Sequence, residues 1–359
     1  MVVRGVGRAH LWIVCGALVV AGCEGGLRFP RGPVTYDEAT FAKKKIVAYG
    51  IPAPTRASGG VPAETVIGQV RSYRIQEGET LLEVARYHDL GYNEITEANP
   101  DVDPWMPPEG TTIVLPTAWV VPCCTFKGMV LNIPEMRVYY YRPDPHDPKR
   151  LLVVTHPVGI GRATWRTPRG QFAVRGKTTD PVWVIPESIR KERLQDGKGT
   201  QASIPGGDPE NPLGKYRLEL TIPRYAIHGT NQPWGIGRLV SHGCVQLYPE
   251  DIHRLFPLVE VGTPVEFTYQ PLKAGTRGGA VYVEVHPDIY KYAPTTVATA
   301  RKALARRKLP AVADAKLLQA ALTESRGVPV PLVPARRQAQ RAGGRDAGAV
   351  SAAVSSERK

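Results

Sequence analysis

The stretch Ile227-His228-Gly229-Thr230-Asn231-Gln232-Pro233-Trp234-Gly235-Ile236-Gly237-Arg238-Leu239-Val240-Ser241-His242-Gly243-Cys244-Val245-Gln246-Leu247 holds two of the chain's eight histidines and, beside one of them, a cysteine. A thiol becomes a reactive thiolate only next to a base or in a positive environment. His242 stands two residues before Cys244, and a turn would bring His228 to the same place. Glycines surround these residues where backbone must approach a substrate closely. Zinc is the other chemistry that His228, His242 and Cys244 suggest. The His-x-Cys spacing is poor for a structural finger, and no His-Glu-x-x-His pattern accompanies it, so no metal and no cofactor are expected.

Working outward, short strand candidates separated by Gly/Pro turns run through the flanking sequence: 129–133, 137–141, 151–158, 170–175, 215–221, 224–228 and 263–269. Such spacing favours an all-β sandwich or barrel over a βαβ sheet. One short helix follows the cysteine. Pro249 suits its first position, Glu250 and Asp251 its first turn, and His253-Arg254 its negative end. Ile252, Leu255 and Phe256 form its apolar face.

His228-Gly229-Thr230 with Ser241-His242-Gly243-Cys244 closely resembles the signature of the YkuD-type L,D-transpeptidases. Further matches are Pro157-Val158-Gly159-Ile160-Gly161, Thr167-Pro168-Arg169-Gly170, Asn211-Pro212-Leu213-Gly214, Tyr248-Pro249-Glu250-Asp251-Ile252 and Val281-Tyr282-Val283-Glu284-Val285-His286. These resemble the periplasmic branch, in which some members attach an outer-membrane lipoprotein to peptidoglycan and others make 3→3 cross-links. The resemblance implies a mainly β catalytic domain over 125–271, with a strand extension over 272–292. It implies Cys244 as nucleophile on a peptidoglycan tetrapeptide stem, releasing D-Ala and passing the acyl group to an amine. His242 is expected as general base and acid, the Ser241 carbonyl as its orienter, and the Gly243 N–H as an oxyanion donor. His228, Gly229, Thr230 and Gln246 are expected to contact substrate. Many members have Arg where Gln246 stands. An amide replaces a charged fork there, which shifts substrate contacts. Hydrolysis by water on the same scaffold, and an inactive wall-binding protein, are the alternatives.

Before this domain, 70–117 reads as strand, helix, helix, strand. Thr80 and Glu83 have capping-box spacing, Asn93 is placed to cap the second helix, and Thr112 to Pro116 is the closing strand. Tyr73-Arg74-Ile75, Gly78-Glu79-Thr80-Leu81, Ala98-Asn99-Pro100 and Ile113-Val114-Leu115-Pro116 resemble the LysM family, which implies binding of glycans such as peptidoglycan. Trp105 either stacks on sugar or covers the core. Residues 23–69, rich in Gly, Pro and Ala, read as a linker.

The ends carry the remaining information. Arg4 and Arg8 precede an apolar run from Leu11 to Ala21 that is too short to span a bilayer. Val20-Ala21-Gly22-Cys23 resembles a lipobox, which makes 1–22 a signal peptide and Cys23 a lipidation site. An ordinary cleavage near Ala21 or Gly22 is the alternative. Both place the mature chain in the periplasm, the first anchored to a membrane, with the outer membrane favoured because Glu24 is not Asp. Removing Cys15 and Cys23 leaves Cys123, Cys124 and Cys244, an odd set whose natural free member is Cys244. Of the net charge of +13, residues 301–359 supply 13 Lys+Arg against 4 Asp+Glu, or +9. The remaining +4 argues against a nucleic-acid-binding face. The region 293–359 reads as a basic tail, disordered or partly helical with a helix near 297–308. It either meets an anionic surface or is simply solvated.

Overall fold

The computed structural model describes residues 37–45, 47–197, 199, 201–309 and 315–332. The signal region and Cys23, and the tail beyond 332, lie outside the described residues. The described residues form one unit.

The centre is one nine-stranded sheet. Its order is Ala48–Pro52, Asp147–Pro157, Arg137–Asp144, Gly128–Asn132, Pro264–Thr268, Gly170–Thr179, Tyr216–Leu220, Ala226–His228 and Val245–Gln246. Neighbours are antiparallel except where Pro264–Thr268 meets Gly128–Asn132 and where Ala226–His228 meets Val245–Gln246. The mainly β domain expected from the sequence is therefore found, with its strand regions joined in one continuous sheet.

Both faces of the middle of this sheet are covered. Alternate side chains point to opposite faces. Met129, Leu131, Val138 and Val154 enter one core with Val174, Leu218, Ile227, Val245 and Ile252. Val130, Tyr139, Tyr141 and Val153 enter a second core with Leu81, Val84, Ile95, Ile113, Leu115 and Trp119. Two-sided burial explains why Met129-Val130-Leu131 is continuously apolar.

The second core belongs to the strand–helix–helix–strand unit. Arg71–Arg74 pairs with Thr112–Leu115, and the helices are Leu81–Tyr87 and Tyr92–Ala98. Thr80 and Glu83 make the expected capping box. Asn93 does not cap the second helix. Gly91 is its N-cap, with Glu94 returning to the Gly91 N–H at 2.8 Å, while the Asn93 amide donates to the Glu135 carbonyl.

Two boundary expectations are corrected. The segment read as a linker is structured from 37 onward. Glu38–Ala42 is a helix, Ala48–Pro52 is an edge strand on Asp147–Pro157, and Val66–Gly68 pairs with Ala118–Val120. Of the region read as extension plus tail, residues 272–309 and 315–332 form a third packed layer, which includes the helix expected near 297–308. Leu272–Arg277 and Ala280–Val285 form a hairpin joined by Val330–Pro331, backed by helices Val297–Arg306 and Ala315–Glu324. Leu272, Val283, Leu304, Leu318 and Leu322 are its core.

Candidate active site

Parallel pairing of Ala226–His228 with Val245–Gln246 brings the two halves of the signature together. Ile227 is opposite Val245, and His228 is opposite Gln246. Register partners share a face, and so do alternate residues, so His228, Gln246 and Cys244 project to one side. All three line a cavity of about 650 Å³, with Ser241, His242 and Glu192.

The turn carrying Cys244 is shaped by two glycine approaches. Leu239–Ser241 runs parallel to Ile160–Gly161. A Cβ on Gly161 would lie 2.9 Å from the Gly243 Cα and 2.1 Å from the Trp165 carbonyl oxygen. Gly243 itself has φ +109°, and a Cβ there would meet the Tyr225 ring at 2.6 Å. Thr167 Oγ1 completes the brace: it receives the Gly161 N–H and donates to the Gly243 carbonyl, both at 3.0 Å.

Cys244 is half-buried, and its thiol donates to the Arg224 carbonyl at 3.6 Å. Arg224 presents that carbonyl from a left-handed turn, φ +70°. Burial pushes the Cys244 thiol up from its ordinary value, so the resting group is neutral. His228 is buried, and its Nδ1 lies 2.7 Å from the Gly229 carbonyl oxygen. An N–H at Nδ1 donates there, and the Leu213 backbone also hydrogen-bonds the ring. Burial lowers the His228 pKa to about 4, against the opposing pull of the Gly229 carbonyl, and the ring stays uncharged at neutral pH.

The arrangement has the parts of an acyl-transfer site. A family model described as the L,D-transpeptidase catalytic domain (YkuD) matches residues 127–267. The probable L,D-transpeptidase YbiS of Escherichia coli strain K12 is 39% identical over 239 residues, covering 66% of this chain and 74% of that protein. The chain belongs to the L,D-transpeptidase family. The probable L,D-transpeptidase YcfS of the same strain is 32% identical over 305 residues, 81% of this chain and 92% of its own. The solution structure of the catalytic domain of an Enterococcus faecium L,D-transpeptidase is 24% identical, covering 40% of this chain and 96% of that one at a TM-score of 0.30.

Within this L,D-transpeptidase, three groups given roles from the sequence are held by neighbouring residues. His242 does not present a free Nε2. That atom lies 2.7 Å from Glu192 Oε2 and 2.6 Å from Arg162 Nη2. Arg162 and then His242 hold the Glu192 carboxyl down at about 2, so it is charged and the His242 Nε2–H donates to it. The Ser241 carbonyl, expected to orient His242, accepts from the Arg162 N–H at 2.9 Å. The Ser241 hydroxyl instead ties the turn, donating to the Cys244 carbonyl at 2.6 Å and receiving the Gly243 N–H at 3.0 Å. The Gly243 N–H expected for an oxyanion is thus already engaged. Thr230 Oγ1 caps its own turn by accepting from the Gln232 N–H at 2.9 Å.

Glu192 and Arg162 were missed in the sequence. Glu192 sits on the helix Glu187–Gln195, which is charged on every side and buries no residue. No apolar stripe marks such a helix for periodicity. Trp105 neither caps the core nor stands alone. It is half exposed, with the Arg238 guanidinium 5.4 Å from its ring and 3.7 Å from that of Tyr92. Cys123, Cys124 and Cys244 are free thiols.

Proposed function

We propose that the chain transfers the acyl group of a peptidoglycan tetrapeptide stem, with Cys244 as nucleophile and His228, not His242, as general base. The register that sets His228 and Cys244 on one face of the cavity carries this reading. The Gly229 carbonyl plays the part of the third triad member, as a backbone acceptor at Nδ1.

His228 Nε2 takes the thiol proton as sulfur bonds to the carbonyl carbon of the third stem residue. The oxyanion forms at the Cys244 N–H, which has no intramolecular acceptor among the described residues; one such donor contributes about 3–4 kcal/mol. The bond to D-Ala then breaks, and His228 returns its proton to the leaving amine. An acceptor amine, from another stem or from a lipoprotein lysine, attacks the thioester and regenerates the thiol. Gln246, beside the nucleophile, selects stem or acceptor contacts through its amide.

The strand–helix–helix–strand unit supports a LysM role in holding the glycan of the same polymer. The N-terminal signal supports export and a lipid on Cys23.

Protein lacking 1–23 is expected to form a thioester adduct with a tetrapeptide stem or a carbapenem, visible by mass. Absence of the adduct, or an adduct that survives Cys244→Ala, refutes the mechanism. His228→Ala should slow acylation by roughly 10²–10⁴-fold, the range for a lost general base, while His242→Asn still acylates. The reverse order returns the base to His242. With an amine acceptor present, tripeptide as the sole product would mark a hydrolase.

A further inference from the structure

A second cavity, of about 180 Å³, lies between the strand Leu272–Arg277 and the helix Val297–Arg306. It shares no lining residue with the catalytic cleft. Its lining includes Lys273, Lys302, Arg306 and Arg307 and no Asp or Glu. Lys273 is already neutralised, by Glu135 at 2.7 Å and Glu284 at 2.8 Å. Lys302, Arg306 and Arg307 form no ion pair among the described residues.

Arg307 departs from the practice of the rest of the molecule. The other deeply buried cations are matched to carboxylates: Lys44 to Asp89 at 2.7 Å, Arg86 to Glu250 at 2.9 Å, Arg137 to Glu94 at 2.8 Å, and Lys273 as above. Arg307 is 6% exposed and has no carboxylate partner among the described residues. Its Nη2 donates to the Val121 carbonyl, and its guanidinium lies 5.3 Å from the Phe126 ring. Its Nη1 is buried without a hydrogen-bond partner. A purely structural role, closing the helix C-terminus and pinning Val121, accounts for Nη2. It does not account for Nη1, because an unpaired buried donor on a charged group costs free energy. Nor does it explain three cations gathered around one cavity without a counter-charge among the described residues.

We propose that this cavity binds a phosphate group, whose oxygens take the Arg307 Nη1–H and the head groups of Lys302 and Arg306. A guanidinium fork with two flexible cations suits a tetrahedral, multiply charged oxyanion better than a single carboxylate. The phosphate comes either from a soluble phosphate ester or from a phospholipid headgroup.

The test uses the full purified chain and follows its thermal unfolding midpoint against inorganic phosphate, with chloride and acetate at matched ionic strength. A saturable rise specific to phosphate is expected. In Lys302→Ala/Arg306→Ala, where both side chains are exposed and the fold is not at stake, apparent affinity should weaken by roughly tenfold or more. Arg307→Gln should abolish the response if it folds. No saturable rise, an equal rise with acetate, or an unchanged response in the double variant overturns the proposal. Flotation with phosphatidylglycerol and phosphatidylcholine vesicles then separates the sources. Phosphatidylglycerol binding lost in the double variant points to a headgroup, and phosphate binding with no vesicle binding points to a soluble ester. Stem acylation should be unchanged in the double variant.

Discussion

At the Cys244 thiol, two effects oppose one another. Burial favours the neutral group and the Ala226 backbone hydrogen bond favours the thiolate; burial wins, and the thiol donates to the Arg224 carbonyl. The free enzyme should therefore react slowly with alkylating agents at neutral pH. Site-resolved mass spectrometry should show Cys244 carboxymethylation still climbing at pH 9.0, the ordinary pKa of a thiol. A plateau already reached at neutral pH would mean a preformed thiolate–imidazolium pair, and the base would then act before substrate binds. Gly161 gives a second residue-level prediction. Gly161→Ala puts a Cβ 2.1 Å from the Trp165 carbonyl oxygen, so the backbone must shift. The shift falls on the Gly243 turn. Acylation should drop by about tenfold or more, the scale of a small misplacement in the site, with the far-ultraviolet spectrum retained. An active Gly161→Ala would show that the turn tolerates displacement. Cys244, both histidines and these glycines stood out in the sequence because their spacing resembles a known signature. The direction of the His242 ring was not legible. It depends on a carboxylate fifty residues away in the chain, and sequence spacing says nothing about which of two histidines a distant acid will claim.

The helix Glu187–Gln195 shows the same limit at the level of an element. Its neighbours in the sequence carry no periodic apolar face, and it buries nothing. It is tied to the cleft by Glu192, which pairs with Arg162 at 2.7 Å and with His242 at 2.7 Å, and by Ile189, which lines the cavity. The groups are partly exposed, so the latch is weak and screened by salt. Glu192→Gln should raise amide exchange over 187–195 and reproduce the effect of high salt on the wild type. It should change the KM for the stem more than the overall stability. Unaltered exchange in the variant would mean that the helix is held by its connections and not by the latch. By contrast, Leu81–Tyr87 and Pro249–Leu255 were legible, because each carries its own start signal: a capping box in one and a proline at the first position in the other. The strand Ala48–Pro52 was not. It is short, ends in proline, and takes its conformation from the edge of Asp147–Pro157, a partner that local propensity does not see.

Across the whole molecule, buried ionic clusters join segments that the sequence suggested were separate. Lys44, from the segment read as a linker, sits among Asp89, Glu250 and Asp251, and Lys273 bridges Glu135 and Glu284. Two histidines are built into these clusters. His156 faces Asp251 at 3.5 Å and Asp89 at 3.8 Å, and His286 faces Glu284 at 2.7 Å and Glu97 at 3.5 Å. Burial opposes their charged forms, but the carboxylates outweigh it and raise His156 to about 9 and His286 to about 10. Between 6.5, the unfolded value, and these limits, the folded chain holds protons that the unfolded chain releases. Stability therefore falls as pH rises through that window, by up to roughly 1.4 kcal/mol per pH unit for each group. His88 and His228 behave oppositely. Burial lowers both to about 4, so between 4 and 6.5 the unfolded chain binds more protons, and stability is lost as pH falls. The two trends place the maximum near pH 6.5. Urea midpoints measured across this range should trace a peak there. His156→Gln or His286→Gln should flatten its alkaline side while leaving the acid side steep. Midpoints that stay level or rise between 6.5 and 9 would show that these histidines are neutral in the folded chain and that the clusters are held by lysine alone.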